Sequence, residues 1–239
     1  MKNYLYILFL LICISINAQT NDGSKVLEVD SIFASKLTGE FFYEGKQYIG
    51  EQYFNKEWTK GDVLLSNGEM IHDKLLKYNG LFDELVWLNT YNFGKFKLDK
   101  LFVKEFWLNN LNGSDIHFKR INISDSSKVS EKDIFAEVKV EGKLSLYIQR
   151  DITTQWPQSI LVDNVLYKYD VLEAEPKYYI ELPTNHYLLM KKLRRLSFLR
   201  LFPEKKKAIN KIIRENHLNI KIESDFVKLI ELMNQKAIF

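Results

Sequence analysis

Turn signals such as Asn67-Gly68 and Glu141-Gly142 punctuate the chain, and between them stand short apolar or alternating runs. These occupy residues 63–65, 70–78, 85–88, 95–98, 102–108, 116–121, 135–140, 144–150, 165–169 and 178–182. About ten such runs with no helical period between them leave little room for anything but an antiparallel sheet. An open flat sheet of that width exposes its edges and one apolar face, so the expectation is a curled sheet, a half-barrel or a sandwich. The aromatic content supports this, with thirteen Tyr and sixteen Phe against ten Gly and four Pro, because flat rings fill half-buried pleated surfaces well. Asn67-Gly68 is expected to supply a two-residue hairpin turn, and Glu141-Gly142 to close the tightest one. In the run 135–140 only Ala136, Val138 and Val140 form a wholly apolar set, which implies a strand with one wet face.

The last fifty residues change character. Pro203 is placed to begin a helix whose Ala208, Ile209, Ile212 and Ile213 share a stripe. A second helix is expected from Ser224, with Ser224 capping the free amides, Asp225 at the positive end, and Phe226, Leu229, Ile230 and Met233 at helical spacing. Two short helices are marginal alone and need a surface to pack on. The fold class read from the sequence is therefore α+β, mainly antiparallel sheet followed by a short two-helix region. Its segments are a β domain over 40–190 and a basic helical region over 191–239.

Upstream of these lies a leader. Lys2 followed by an apolar stretch from Tyr4 to Ile16 and then Ala18 reads as a signal peptide over 1–18, cut before Gln19. The run is shorter than the roughly 20 apolar residues a spanning helix needs. Cys13 follows the bulky Ile12, where lipidation signals want a small residue. Residues 19–39 are polar and weakly patterned, as a flexible tether would be. The expected location is therefore exported: periplasmic, outer-membrane-associated or extracellular, with no transmembrane span after cleavage. Cys13 is the single cysteine, so a cleaved chain has no thiol for disulfides, zinc–thiolate sites or nucleophilic catalysis.

Tyr178-Tyr179-Ile180, then Leu201-Phe202-Pro203-Glu204-Lys205-Lys206, Ile209, Ile212-Ile213, Asn216, Glu223, Asp225 and Leu229 resemble the C-terminal signature of a family of uncharacterised exported proteins of Bacteroidota. Gly61-Asp62-Val63, Gly68, the stretch Leu75-Leu76-Lys77-Tyr78-Asn79 and Asp83-Glu84-Leu85 resemble that family's N-terminal pattern. Lys77 stands where members usually carry Arg, and Leu81-Phe82 where they are more often polar. The resemblance implies the fold, and no catalytic residue, cofactor or substrate.

Recognisable chemistry is sparse. His72, His117, His186 and His217 show no pair at the spacing that puts two ligands on one helix face. There is no G-x-S-x-G or S-x-x-K, and Gly61, Gly68 and Gly80 are isolated in turns rather than gathered in a phosphate loop. Asp83-Glu84 is the most conspicuous carboxylate pair, but neighbours on a strand face opposite ways, which favours turn or sheet-edge electrostatics over acid–base catalysis. No metal, cofactor or catalytic role is assigned. Asp30-Ser31-Ile32 resembles a bacterial O-glycosylation tripeptide, while Asn112-Gly113-Ser114 and Asn122-Ile123-Ser124 match the eukaryotic sequon.

Charge is the clearest asymmetry. Between residues 191 and 221 stand eleven Lys or Arg against Glu204 and Glu215, in a chain whose net charge is only +3, so the rest carries an excess of negative charge. Lys192, Arg194, Arg195, Lys205, Lys206, Lys207 and Lys211 are the candidate contacts for an anionic envelope component or an acidic protein partner. The competing explanation is a solvated helix face. Trp58, Trp87, Trp107 and Trp156, with Tyr43, Tyr48, Tyr53 and Tyr91, are candidate stacking residues for a glycan or other small ligand, the alternative function. An unrecognised hydrolase comes third. Nucleic acid is not an expected partner, since no aromatic-basic fingerprint of an RNA-binding sheet occurs.

Overall fold

The computed structural model describes residues 37–111, 113–124 and 131–238. The leader over 1–18, most of the tether, Cys13 and Asp30-Ser31-Ile32 lie outside the described residues. The strands along the chain are β1 (Gly39–Phe41), β2 (Tyr48–Ile49), β3 (Thr59–Leu65), β4 (Met70–Asn79), β5 (Glu84–Leu88), β6 (Lys95–Leu98) and β7 (Val103–Leu111). They continue as β8 (Ser114–Ser124), β9 (Glu131–Val140), β10 (Ser145–Gln149), β11 (Ile152–Val162), β12 (Val165–Ala174), β13 (Lys177–Glu181) and β14 (Tyr187–Met190). Eleven join one antiparallel sheet in the order β1-β6-β5-β4-β3-β7-β8-β9-β10-β13-β14, and the remaining three form β11-β12-β2, in which β2 runs parallel to β12. Neither sheet closes. Three helices follow, α1 (Arg195–Leu201), α2 (Lys206–Glu215) and α3 (Glu223–Gln235), with a 3-10 turn over Pro203–Lys205 before α2. The class is α+β, mainly antiparallel.

Two apolar clusters lie along the sheet where the pleat turns its large side chains inward. In the first, Phe106 and Phe118 stack at 4.7 Å, Tyr78 lies 4.9 Å from Phe118, and Phe135 meets Phe106 edge-on at 5.2 Å. The second joins Leu146 and Ile148 of β10, Ile180 of β13 and Met190 of β14 to the helices through Phe198, Ile209, Ile212, Ile213, Phe226, Leu229, Ile230 and Met233. Each such side chain contributes about 1.5–3 kcal/mol on full burial, which is how helices too short to persist alone are held. A third cluster, Ile121, Ile134, Ala136, Tyr147 and Tyr179, is buried elsewhere on β8, β9, β10 and β13. Leu37–Phe239 form one compact unit.

Several local expectations differ from the structure. Asn67-Gly68 is part of a three-residue turn, in which the Leu65 N–H donates to the Glu69 carbonyl, the Gly68 N–H donates to the Leu65 carbonyl, and Gly68 takes a φ of 88°. Such a turn needs one left-handed residue instead of two, and only the glycine supplies it. The tightest hairpin is Asp163-Asn164 between β11 and β12, both at positive φ (50° and 62°), the pattern of a type I′ turn. Ser224 makes no cap, because α3 starts one residue earlier and Ile222 holds the cap position. Asp225 does stand in the first turn of α3, as expected, and also accepts from the Asn219 N–H at 2.8 Å. Ala208 is exposed, while Ile209, Ile212 and Ile213 are buried. The 135–140 strand has no wet face around Glu137, which is buried by a guanidinium and a helix.

Candidate functional site

The basic face is built by subtraction. Docking commits the apolar stripe of α2 to the core, and the residues left over on its outer side are Lys206, Lys207, Lys211 and Arg214, all exposed. Lys192, Arg194, Arg195 and Lys205 are exposed as well. Their neutralisation is thin. Arg195 donates to Asn210 Oδ1 from Nε and Nη2 at 3.0 and 2.6 Å, contacts that leave its charge in place. Lys211 reaches Glu215 at 3.7 Å while 74% exposed, and Lys236 reaches the same carboxylate at 3.3 Å. Lys192, Arg194, Lys206 and Lys207 form no ion pair among the described residues. The first turn of α2 contains no acidic side chain. Lysine at that end opposes the helix dipole by about 0.3–1 kcal/mol per charge, so helix stability alone does not select this arrangement.

A partly buried ionic knot ties α3, which shares the apolar cluster with α2, to the sheet. Arg150, which follows β10, grips Glu223 at the start of α3 with two parallel hydrogen bonds, Nη1 to Oε2 at 2.9 Å and Nη2 to Oε1 at 2.7 Å. The same guanidinium binds Glu137 of β9, which Lys139 also neutralises. Burial raises the Glu223 carboxyl, but Arg150 and Lys139 outweigh it, so the group ends below its ordinary value. Burial also pushes the Tyr178 hydroxyl, whose partner is Glu223, up to about 12. Asn234 of α3 closes the other end, accepting from the Leu144 N–H at 2.9 Å and donating to the Leu144 carbonyl at 2.8 Å.

Asp83 and Glu84 separate. Asp83 precedes β5 at a φ of 55° and turns inward, accepting from the Tyr78 hydroxyl at 2.8 Å, the Phe135 N–H at 3.1 Å and the Lys100 ammonium at 2.6 Å. Burial raises its carboxyl above the usual value despite those three donors. Glu84 points to Lys97 at 3.5 Å. Both lie on a cleft of about 470 Å³ rimmed by Glu40, Phe82, Lys97 and Phe102. With three donors on its two oxygens, Asp83 ties a turn, a loop and a strand together and is poorly placed to exchange a proton with a substrate.

The tryptophans are not brought together. Trp87 is buried against Phe96 at 5.3 Å. Trp107 stacks on His117 at 4.6 Å, on the face of β7 opposite to Phe106. Trp58 sits by the Lys77 ammonium at 5.2 Å, which also lies over buried Tyr53 at 4.8 Å. Trp156 stands on β11 and is 90% exposed. Tyr43 and Tyr91 are exposed and Tyr48 lies in β2. His72 pairs with Asp62 at 3.2 Å and His117 with Glu105 at 2.9 Å, while His186 and His217 are exposed. Among the described residues no group of three His, Cys, Asp or Glu is placed to hold a metal ion, and no helix is long and apolar enough to cross a membrane.

Sequence reasoning passed over the β11–β12 hairpin, whose outer half exposes Ile160, Leu161, Val165, Leu166 and Tyr167. The signal was there: Asp163-Asn164 between two apolar runs is a hairpin turn. Pro157 obscured it, because proline argues against a strand interior, and here it sits at a bulge between Gln155 and Gln158. Comparisons with protein-family models, curated proteins and solved structures give no match. The functional reading therefore rests on geometry.

Proposed function

We propose that this protein is an exported, non-catalytic binding module of the cell envelope that engages a phosphate-rich anionic surface through its basic helical face. The observation that carries this reading is the set Lys192, Arg194, Lys206 and Lys207, exposed and unpaired among the described residues, the first two in the segment that leads into α1 and the last two at the start of α2, whose apolar stripe packs into the cluster shared with the sheet. A bulky flat partner needs positive charge on a preorganised convex element, and helices with their apolar stripes already used supply one. The chain's remaining charge is negative in sum, which orients the molecule toward such a surface by this face.

The test is retention on vesicles containing phosphatidylglycerol against vesicles of phosphatidylcholine alone. Lys206→Glu, Lys207→Glu and Lys211→Glu together should weaken retention about 100-fold, at about 1 kcal/mol for each lysine lost near an anionic surface. Binding of the parent chain should fall as salt shortens the screening length. Because all three side chains are exposed, the variant keeps its fold, which its circular dichroism reports. Equal retention of parent and variant rejects the reading.

A further inference from the structure

Six of the seventeen large apolar side chains exposed among the described residues stand on one hairpin: Trp156, Ile160, Leu161, Val165, Leu166 and Tyr167. Register sorts five of them onto two faces. Ile160 pairs with Tyr167, so these two share a face with Val165 and Tyr169, and the Tyr167 and Tyr169 rings stack at 6.2 Å. Leu161 pairs with Leu166 on the other face. The outer half of the hairpin is thus apolar on both sides. Its root is different: Ile152 and Leu172 are buried, and β2 covers the edge of β12 at Asp170 and Val171. From Asp170 toward the tip, no strand among the described residues pairs with 165–169 on the side away from β11, an edge five residues long bounded by β2 at one end and the Asp163-Asn164 turn at the other.

The open edge decides among occupants. A lipid interior would leave the backbone N–H and C=O groups of that edge unpaired at several kcal/mol each, and would also have to receive Asp163 at the tip. A strand satisfies those groups. The geometry points to a second copy of this chain as that strand, with β12 pairing antiparallel to β12 across a twofold axis through Tyr167. Identical antiparallel strands are self-complementary under such an axis. The five free residues then match themselves: Val165 faces Tyr169 and Tyr167 faces its own counterpart, aromatic and β-branched cross-strand pairs on one face, while Leu166 faces Lys168 on the other. β2 stops the ladder at both ends. Pro157 and its bulge blunt the outer edge of β11, so the pairing closes at two copies.

Charge agrees. Residues 152–169 contain one acid, Asp163, and one base, Lys168, so two hairpins do not repel. Leu166, 67% exposed, and Tyr167, 46% exposed, stand on the free strand itself, where a paired strand gives each a cross-strand neighbour.

Sedimentation velocity of the purified chain over a range of concentrations tests this. The parent chain should reach a dimer. Tyr167→Lys and Tyr167→Glu each place like charges face to face on the axis and should weaken dimerisation about tenfold or more, with unchanged melting of each monomer. Mixing the two variants in equal amounts should restore the dimer, because lysine then faces glutamate. A parent chain that stays monomeric throughout overturns the inference, as does a dimer that both variants leave intact. Hairpin-dependent capture of the monomer by phosphatidylcholine vesicles would also overturn it, in favour of lipid.

Discussion

Asp83 holds three parts of the molecule with one carboxylate: the Tyr78 hydroxyl from β4, the Phe135 N–H from β9, and the Lys100 ammonium from the loop before β7. Its left-handed φ is one that aspartate tolerates better than most side chains. Asp83→Ala removes the acceptor from a buried hydroxyl and a buried amide and leaves Lys100 without its counter-charge. We expect a loss of about 3 kcal/mol, read from urea unfolding, whereas a cost under about 0.5 kcal/mol, the range of a plain surface change, would mean that the three donors find other acceptors. The sequence drew attention to Asp83-Glu84 as neighbours, and to that extent the residue was legible. Its role was not, since the Phe135 amide is 52 positions away and the inward turn depends on a backbone angle that no run of residue types announces.

At the scale of the element, periodicity located most strands and both longer helices, because a strand or helix declares itself within five to thirteen residues. It failed where a local signal was overridden. The strand β11 carries Pro157 at a bulge, β14 is four residues long and runs into the helical region, and α1 spans seven residues with no side-chain cap. Gly61 read as a turn residue and instead lies inside β3 beside a bulge, where a Cβ would stand 2.1 Å from the Trp107 carbonyl oxygen and 2.7 Å from Leu76 Cδ1. One of those neighbours is backbone and cannot step aside. Gly61→Ala should therefore cost about 1–3 kcal/mol or more, seen as a lowered thermal midpoint, while Gly68→Ala, with open space around its Cβ but a φ of 88°, should cost only the backbone strain of about 1–2 kcal/mol. Equal midpoints for Gly61→Ala and the parent would show that β3 and β7 can separate there without loss.

At the scale of the whole molecule, the helices and the sheet share one apolar cluster and one ionic knot, so they should unfold together. Glu223 makes that coupling pH-dependent. Its carboxyl is lowered from 4.5 in the folded chain, so it contributes stability above its unfolded value, and that contribution is lost as pH falls through the lowered folded value. Glu223→Gln should melt several degrees below the parent at pH 7, on the scale set for a domain of this size. The gap should close as pH drops below about 4.5. A gap constant with pH would assign the loss to packing instead of charge. Asp83 titrates in the opposite sense, since burial raises it, and comparing parent with variant cancels its share.

The amino-acid order alone determined what short-range physics can encode: the alternation that makes strands, the stripes that make α2 and α3, and the segregation of positive charge into 191–221. Tertiary structure decided what those elements meet. It buried both sides of β9 around Glu137, set the Glu223 carboxylate of α3 on an arginine 73 residues earlier, kept the tryptophans apart with Trp87 buried and Trp156 exposed, and left the apolar side chains of the β11–β12 tip exposed. The reason is one of range. Periodicity is a property of neighbours along the chain, whereas burial depends on which distant segments arrive on each face, and that is fixed only when the sheet and helices pack.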